Sequence, residues 1–176
     1  LCLVAPERFP ATEATVLAAG ADDVLDRARV FPDVRSAVAD CGFVVGTTAR
    51  SRHLPWRTVE PRGAAREIAA AARTSEVAVL FGAERTGLTN DDLELCQALV
   101  TIPTGSVYAS LNVAMAVQII AYEIRLALRD EPDSGLTAGV PLASARDMEQ
   151  FYRHLEQVLE EIEFRDRTGE GHLMAR

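Results

Sequence analysis

Short apolar runs alternate with amphipathic stretches along the chain, which is the pattern of an α/β fold. The apolar runs predict strands or extended segments at residues 1–4, 24–31, 43–47, 77–81 and 98–102. Apolar residues at helical spacing predict helices at residues 11–19, 33–41, 62–73, 90–96 and 110–129. Because strands and helices alternate, we predict a parallel sheet flanked by helices on both faces.

Helix-starting residues sharpen some of these boundaries. Thr89, with Asp92 three residues later, predicts a variant of the capping box at the start of one helix. Asp33 predicts an aspartate cap, and Ser110 predicts the cap of the long helix that follows. The stretch from residue 77 to residue 93 therefore reads as a strand, a glycine turn and a capped helix, which is how many folds hold a ligand.

The last part of the chain has a different organisation. Residues 131–143 are rich in Pro, Gly and polar residues and predict a linker, whereas Ser144 begins an amphipathic helix. The apolar stripe of that helix consists of Met148, Phe151, Tyr152, Leu155, Val158, Leu159 and Ile162. We expect it to pack on the domain or on a partner subunit.

The predicted division is a domain at 1–130, a linker at 131–143 and a helical extension at 144–176. Since the chain opens on a strand without methionine, we expect it to be incomplete at its N-terminus and in its C-terminal tail.

Composition excludes several classes of protein. With 176 residues, 48% of them hydrophobic, the chain is long enough for one compact domain without disulfide or metal staples. Its three cysteines are scattered, which favours reduced thiols and a cytoplasmic location, and its three histidines are too far apart to indicate a metal site. The apolar run at 113–122 is too short to span a bilayer, so we expect no membrane.

The glycine turn excludes one ligand class as well. Residues 82–89 match the phosphate-binding pattern G-x-x-x-x-G-K-[ST] except at Leu88, where the pattern requires lysine. All 18 basic residues of the chain are arginine, so no lysine elsewhere can replace it. Glu84 would also repel a triphosphate. The ligand at this turn is therefore expected to be neutral or cationic.

Three separated motifs resemble those of the SPOUT RNA methyltransferases. Residues 81–90 (FGAERTGLTN), Ile102-Pro103 and residues 110–118 (SLNVAMAVQ) are similar to motifs two and three of these enzymes. The similarity is closer to the TrmJ group, which methylates the ribose of pyrimidine 32 in the tRNA anticodon loop. The loop at 46–56 and the pattern Phe151-Tyr152-x-His154-Leu155-Glu156 also resemble that group. The resemblance covers nearly the whole chain and implies a C-terminal trefoil knot in the α/β domain, a homodimer, and S-adenosylmethionine as methyl donor.

The resemblance also implies a cofactor site built from three turns. Its residues would be Thr47, Thr48, Ala49, Gly82, Ile102, Ala109, Ser110 and Leu111. Gly82 would let the backbone approach the ligand, while Ile102 and Leu111 would enclose a flat base. Taken alone, Ser110 is equally a helix cap and Ile102 equally a core residue.

For catalysis, relatives use mainly an arginine in motif one, which we expect upstream of Leu1. The resemblance leaves Glu84, Ser110 and Asn112 as supporting residues that orient the missing motif, the cofactor and the partner subunit. We expect the chain from Leu1 to Arg176 alone to transfer no methyl groups.

RNA contacts are expected from an arginine-rich segment within a chain of net charge −8. The candidates are Arg50, Arg52, His53, Trp56 and Arg57, in which arginines would contact phosphates and the two rings would stack on unpaired bases. A solvated basic loop is the alternative, and we favour it for Arg66 and Arg73.

The function expected from the sequence is that of a tRNA 2′-O-ribose methyltransferase. A methyltransferase for another RNA, such as ribosomal RNA, remains an alternative. A cofactor-binding or RNA-binding module without catalysis is a third possibility.

Overall fold

The computed structural model describes residues 1–49, 57–105, 111–129 and 142–161. The elements are, in chain order, β1 Cys2–Val4, α1 Thr12–Leu17, α2 Asp22–Asp26, β2 Arg29–Phe31, α3 Val34–Val38, β3 Cys41–Thr47, β4 Thr58–Val59, α4 Pro61–Ala71, β5 Glu76–Leu80, α5 Asn90–Glu94, β6 Ala98–Val100, α6 Val113–Ala127 and α7 Ala145–Glu161. The alternation of strands and helices confirms the α/β class. The chain separates into two compact units, Leu1–Ala39 and Asp40–Arg176, where its length had indicated one.

The first unit is small. Its strands β1 and β2 pair in parallel, with Leu3 opposite Val30. The prediction of continuous extended structure over 24–31 is wrong in its first half, because α2 occupies part of it and only β2 is a strand. Asp33 caps α3 as predicted: its carboxylate accepts a hydrogen bond from the Ser36 amide at 2.7 Å, and this bond lowers the pKa of Asp33.

The second unit contains a parallel four-stranded sheet in the order β4-β6-β3-β5. Cys41 lies at the start of β3, so the prediction that it ends the preceding helix is wrong. The last strand in sequence, β6, lies between β3 and β4, which both precede it in the chain. The parallel sheet inferred from the alternation of elements is thus confirmed.

The core of this unit lies where α4 and α6 cover the sheet. Val45 and Val100 from the strands, Ala64 and Ile68 from α4, and Ile120 from α6 form one buried cluster. Small residues dominate the buried face of α4, which lets α6 approach closely.

The start of α6 differs from the predicted one. Asn112 is the cap, and its side chain accepts a hydrogen bond from the Ala114 amide at 2.9 Å. The prediction that Ser110 caps this helix is therefore wrong, and Ser110 itself lies outside the described residues. By contrast, the capping box of Thr89 and Asp92 at the start of α5 is present in both directions.

Helix α7 begins with a similar box and is fixed to the sheet unit at its base. Ser144 and Asp147 exchange hydrogen bonds at the helix start. The Leu142 amide donates to Ser75 Oγ at 3.1 Å, and Arg146 forms an ion pair with Asp40 at 3.1 Å. Within the described ranges, no helix has both the length and the apolar character needed to cross a membrane.

Candidate functional site

The carboxyl ends of the parallel strands share one edge of the sheet, and hydrogen bonds tie them together. Thr47 Oγ1, at the end of β3, donates to the Leu80 carbonyl at the end of β5 at 2.8 Å. The Thr48 amide donates to the Val100 carbonyl of β6 at 3.0 Å. Ligands of open α/β sheets bind at such an edge, because the connecting loops diverge there and leave a crevice.

Most of the predicted cofactor residues that the structure describes follow these strand ends. Thr47 is the last residue of β3, Thr48 and Ala49 follow it, Gly82 follows β5, and Ile102 follows β6. Ile102 is half-buried and packs against the core cluster, which confirms the core interpretation, while its contact with a cofactor stays a prediction. Leu111 is half-buried just before α6. Ala109 and Ser110 lie outside the described residues.

The loop itself also requires glycine at position 82, while the expected approach of a ligand to Gly82 stays a prediction. A Cβ at Gly82 would overlap the backbone of Gly87 and Leu88, because the loop folds back on itself. The fold-back is held by the Gly87 amide, which donates to the Ala83 carbonyl at 2.8 Å, and by the left-handed backbone of Gly87 at φ +70°. The absence of a side chain at Gly82 is therefore already required by the shape of the loop itself.

Glu84 projects from this loop to the start of α6. Its carboxylate accepts a hydrogen bond from the Val113 amide at 2.9 Å. Together with the Asn112 side chain, it satisfies two amides of the first helical turn that have no acceptor within the helix. The structure thus brings two of the three predicted supporting residues, Glu84 and Asn112, to one helix end, where both act as caps.

Sequence reasoning missed one residue that supports the sheet at the amino end of β6. Gln97 Oε1 accepts a hydrogen bond from the buried Val44 amide at 2.7 Å, and the Gln97 amide donates to the Val44 carbonyl at 2.9 Å. Gln97 thereby extends the pairing of β3 and β6 by one position. Only its location just before a strand hinted at this role, and that signal is weak.

The surroundings of Cys96, close to the same strands, disfavour its thiolate form. Burial, with a smaller contribution from the charge of Asp92, raises the pKa of the Cys96 thiol to about 12. The thiol lies where a Cβ added at Gly46 would meet it, at 2.9 Å. It therefore acts as a protonated packing group.

Among the predicted RNA-binding residues, only Arg57 lies in the described part of the chain. Its guanidinium forms an ion pair with Glu67 of α4, and this partner raises the pKa of Arg57. The pair holds the residue just before β4 against α4. Arg50, Arg52, His53 and Trp56 lie outside the described residues.

Across the ranges that the structure describes, no group of three or more His, Cys, Asp or Glu residues could hold a metal ion. The described residues that follow β3, β5 and β6 are chiefly uncharged side chains and backbone groups, with Glu84 nearby.

Comparison with known proteins identifies the family. Residues 1–122 match the SpoU rRNA Methylase family. A protein of Sodalis glossinidius named tRNA (cytidine/uridine-2′-O-)-methyltransferase TrmJ is 46% identical over 176 residues, which are 99% of this chain and 69% of that protein. The chain belongs to the SpoU methylase family, in its TrmJ group. The predicted resemblance to SPOUT enzymes of that group is thus confirmed.

Two further comparisons extend this assignment. Residues 146–176 match the C-terminal domain of the tRNA methyltransferase TrmJ. The crystal structure of TrmJ from Z. mobilis ZM4 has a TM-score of 0.76 and 38% identity, covering 93% of this chain and 69% of that one. An AdoMet-bound rRNA methyltransferase from Sinorhizobium meliloti has a TM-score of 0.52 and 27% identity, covering 72% of this chain and 45% of that one.

Proposed function

We propose that this protein transfers a methyl group from S-adenosylmethionine to the 2′-oxygen of a tRNA ribose. The observation that carries the proposal is the 46% identity, over almost the whole chain, to a relative named for this activity. Residues that resemble the family motifs lie at one edge of the sheet in the described structure, which is where an enzyme of this fold class binds its ligand. The target we infer is the pyrimidine at position 32 of the anticodon loop, the nucleotide of the TrmJ resemblance.

The described edge suits S-adenosylmethionine. This molecule combines a sulfonium cation with a flat adenine, so its site needs apolar walls, backbone hydrogen-bonding groups and few positive charges. Half-buried Ile102 and Leu111 would supply apolar walls, and the strand-end backbone would supply polar groups. We assign the remaining contacts to Thr47, Thr48, Ala49, Gly82, Ala109 and Ser110. When bound, the cofactor would supply the methyl group as an electrophile.

The chain's own residues would orient the reacting partners. Glu84 and Asn112 hold the first turn of α6, next to the segment that contains Ser110. We assign them to positioning rather than to proton transfer, since both side chains already accept backbone hydrogen bonds. Correct alignment of the nucleophile and the methyl group is itself a large catalytic contribution.

The tRNA would be held by the arginine-rich loop. We propose phosphate or ribose contacts for Arg50 and Arg52, stacking for His53 and Trp56, and a contact for Arg57 that must compete with its ion pair to Glu67.

A homodimer is part of the proposal. Helix α6 leaves an apolar face uncovered, on which Met115 is 56% and Tyr122 57% exposed. A second copy would bury this face, and the hydrophobic effect favours its removal from water. We also propose the trefoil knot, supported by the insertion of β6 between two earlier strands.

We retain the domain limits of 1–130, 131–143 and 144–176 as a proposal, supported by the separate family matches to residues 1–122 and 146–176. A tRNA substrate would accord with a location in the cytoplasm.

Calorimetry with S-adenosylmethionine tests the cofactor site. Burying a leucine side chain is worth roughly 1.5–3 kcal/mol, so Leu111→Ala should weaken binding about tenfold to a hundredfold. Leu17→Ala is the matched control, because Leu17 is exposed on α1 in the first unit. Equal affinities for the two variants would remove Leu111 from the site.

The choice of RNA needs a separate experiment, because the matched family and the Sinorhizobium meliloti neighbour are both named for rRNA. Tritiated methyl transfer would be compared on unmodified tRNA and on unmodified rRNA. We expect incorporation into tRNA, since the TrmJ C-terminal match and the named relatives favour it. Incorporation into rRNA alone would establish the alternative substrate.

A further inference from the structure

Helix α4 carries Arg62 and Arg66 on one exposed face, and Arg73 follows its C-terminal cap. We propose that Arg62, Arg66 and Arg73, here called the α4 ridge, bind phosphates of the RNA substrate outside the arginine-rich loop. This replaces the solvated role that the sequence favoured for Arg66 and Arg73. The proposal rests on the proposed function, because it takes RNA as the partner. All three residues are exposed in the described structure.

The helix geometry aligns the three side chains. At 3.6 residues per turn, Arg66 projects about 40° from Arg62, and Arg73 about 20° if the helical turn is continued past the cap. The buried residues of α4 centre roughly 140° away, on the side that packs against α6 and the sheet. The α4 ridge therefore faces away from the core.

The carboxylates near α4 do not neutralise the ridge. Glu60 and Glu67 lie roughly 100° or more around the helix from the arginines. Glu67 is already in an ion pair with Arg57. Among the described residues, none forms an ion pair with Arg62, Arg66 or Arg73. In a chain of net charge −8, this face is a local concentration of free positive charge.

The electrostatics of the helix itself do not account for two of the three arginines. Arg62 lies in the first turn, where the helix dipole disfavours a cation. Arg62 and Arg66 are also four residues apart, and a like-charge pair at this spacing costs a helix about 0.2–0.5 kcal/mol. Only Arg73, at the C-terminal end, is favourably placed with respect to the dipole. An anionic partner would offset the first two costs.

The location of the ridge connects it with the candidate site. Helix α4 begins directly after the carboxyl end of β4, so Arg62 lies near the edge that carries the predicted cofactor residues. The ridge then runs about 16 Å towards the opposite edge of the sheet. An RNA with its target ribose at the carboxyl edge could thus lay neighbouring phosphates along the ridge. Arginine suits this role because its planar fork matches a phosphate.

The test is the salt dependence of tRNA binding, measured by fluorescence anisotropy on the full-length gene product. Replacing Arg62, Arg66 and Arg73 together by glutamine should reduce the slope of log K against log salt by about 2, roughly 0.7 for each phosphate that the variant no longer neutralises. At 0.1 M salt, this change in slope corresponds to about a hundredfold weaker binding. A triple lysine variant should retain the slope, since it keeps the charges.

The matched control removes the same charge elsewhere. Arg8, Arg27 and Arg153 are exposed and distant in sequence from α4, and their triple glutamine variant should keep the parent slope. Both glutamine variants should keep the parent affinity for S-adenosylmethionine, which reports an intact fold. If the α4 variant and the control show equally reduced slopes, or if the parent binds no RNA, the ridge proposal is overturned.

Methyl transfer separates this proposal from the proposed function. If the parent protein methylates tRNA and the α4 variant has the same salt slope as the parent, only the ridge proposal is overturned. A parent that binds RNA through the ridge but methylates no tRNA overturns the proposed function alone. When both hold, the α4 variant should raise KM for tRNA and leave kcat within about twofold, because phosphate contacts away from the reacting atoms contribute uniform binding.

Discussion

Replacing Glu84 distinguishes positioning from proton transfer. Glu84→Ala removes the acceptor of the Val113 amide, and removing such a cap costs about 0.5–2 kcal/mol. The negative charge at the helix start contributes a further 0.3–1 kcal/mol or so. If the first turn of α6 must be in place for reaction, the two effects together would slow methyl transfer about fourfold to 160-fold, at roughly 1.36 kcal/mol per factor of ten. Glu84→Gln keeps an acceptor oxygen and removes only the charge, so the rate should fall about twofold to fivefold.

The assay is single-turnover methyl transfer to unmodified tRNA by the full-length gene product. Proton transfer by Glu84 would predict that both variants are slower by a factor of about 10² to 10⁴, because glutamine cannot accept the proton. Glu94→Ala is the control, since Glu94 is an exposed carboxylate on α5. A glutamine variant as slow as the alanine variant, with the control unchanged, would refute the positioning role.

Three other predictions follow from the packing. Gly82→Ala should destabilise the fold by about 1–3 kcal/mol, because the new Cβ would meet backbone atoms. Gly63→Ala, in open space on α4, should instead stabilise the fold by about 0.5–1 kcal/mol. Equal denaturant midpoints for the two variants would contradict this expectation. The thiol of Cys96 stays protonated in the folded chain but ionises above pH 9.0 in the unfolded chain, so the free energy of unfolding should fall by about 1.4 kcal/mol at pH 10. In unfolding titrations at pH 8 and pH 10, Cys96→Ala should not show that decrease. Replacing Met115 and Tyr122 together by aspartate should yield monomers in light scattering at micromolar concentration, and a monomeric parent would remove the proposed dimer face.

Local signals predicted much of the sheet unit. The predicted bounds of the strand before Gly82 and of the capping box of Thr89 and Asp92 agree with the structure to within one residue. Each of these signals is formed by residues that lie within a few positions of one another in the sequence. Parallel strands followed from the alternation of elements, since connections through helices join parallel neighbours.

Errors arose where distant residues decide between local alternatives. Ser110 and Asn112 both have side chains that can cap a helix, and the observed start agrees with an acceptor 29 residues earlier, Glu84. No pattern near residue 110 contains that contact.

The reason for Gly82 was hidden in the same way. A glycine at the end of a strand is compatible with an approaching ligand, but the atoms closest to a Cβ there belong to Gly87 and Leu88 of the same loop. Similarly, the pairing of Arg57 with Glu67 depends on how β4 and α4 pack, so composition could only count the charges. In both cases the residue type indicated a role, but the residues that it contacts could not be predicted from the sequence.

The measurement that tests the central claim most directly is identification of the methylated nucleotide. Unmodified tRNA would be incubated with S-adenosylmethionine and the full-length gene product, digested to nucleosides and analysed by mass spectrometry. Our account predicts a 2′-O-methylated cytidine or uridine that disappears when the cofactor is omitted. A methyl group on a base, or no methylated nucleoside from tRNA under conditions in which rRNA is methylated, would contradict it.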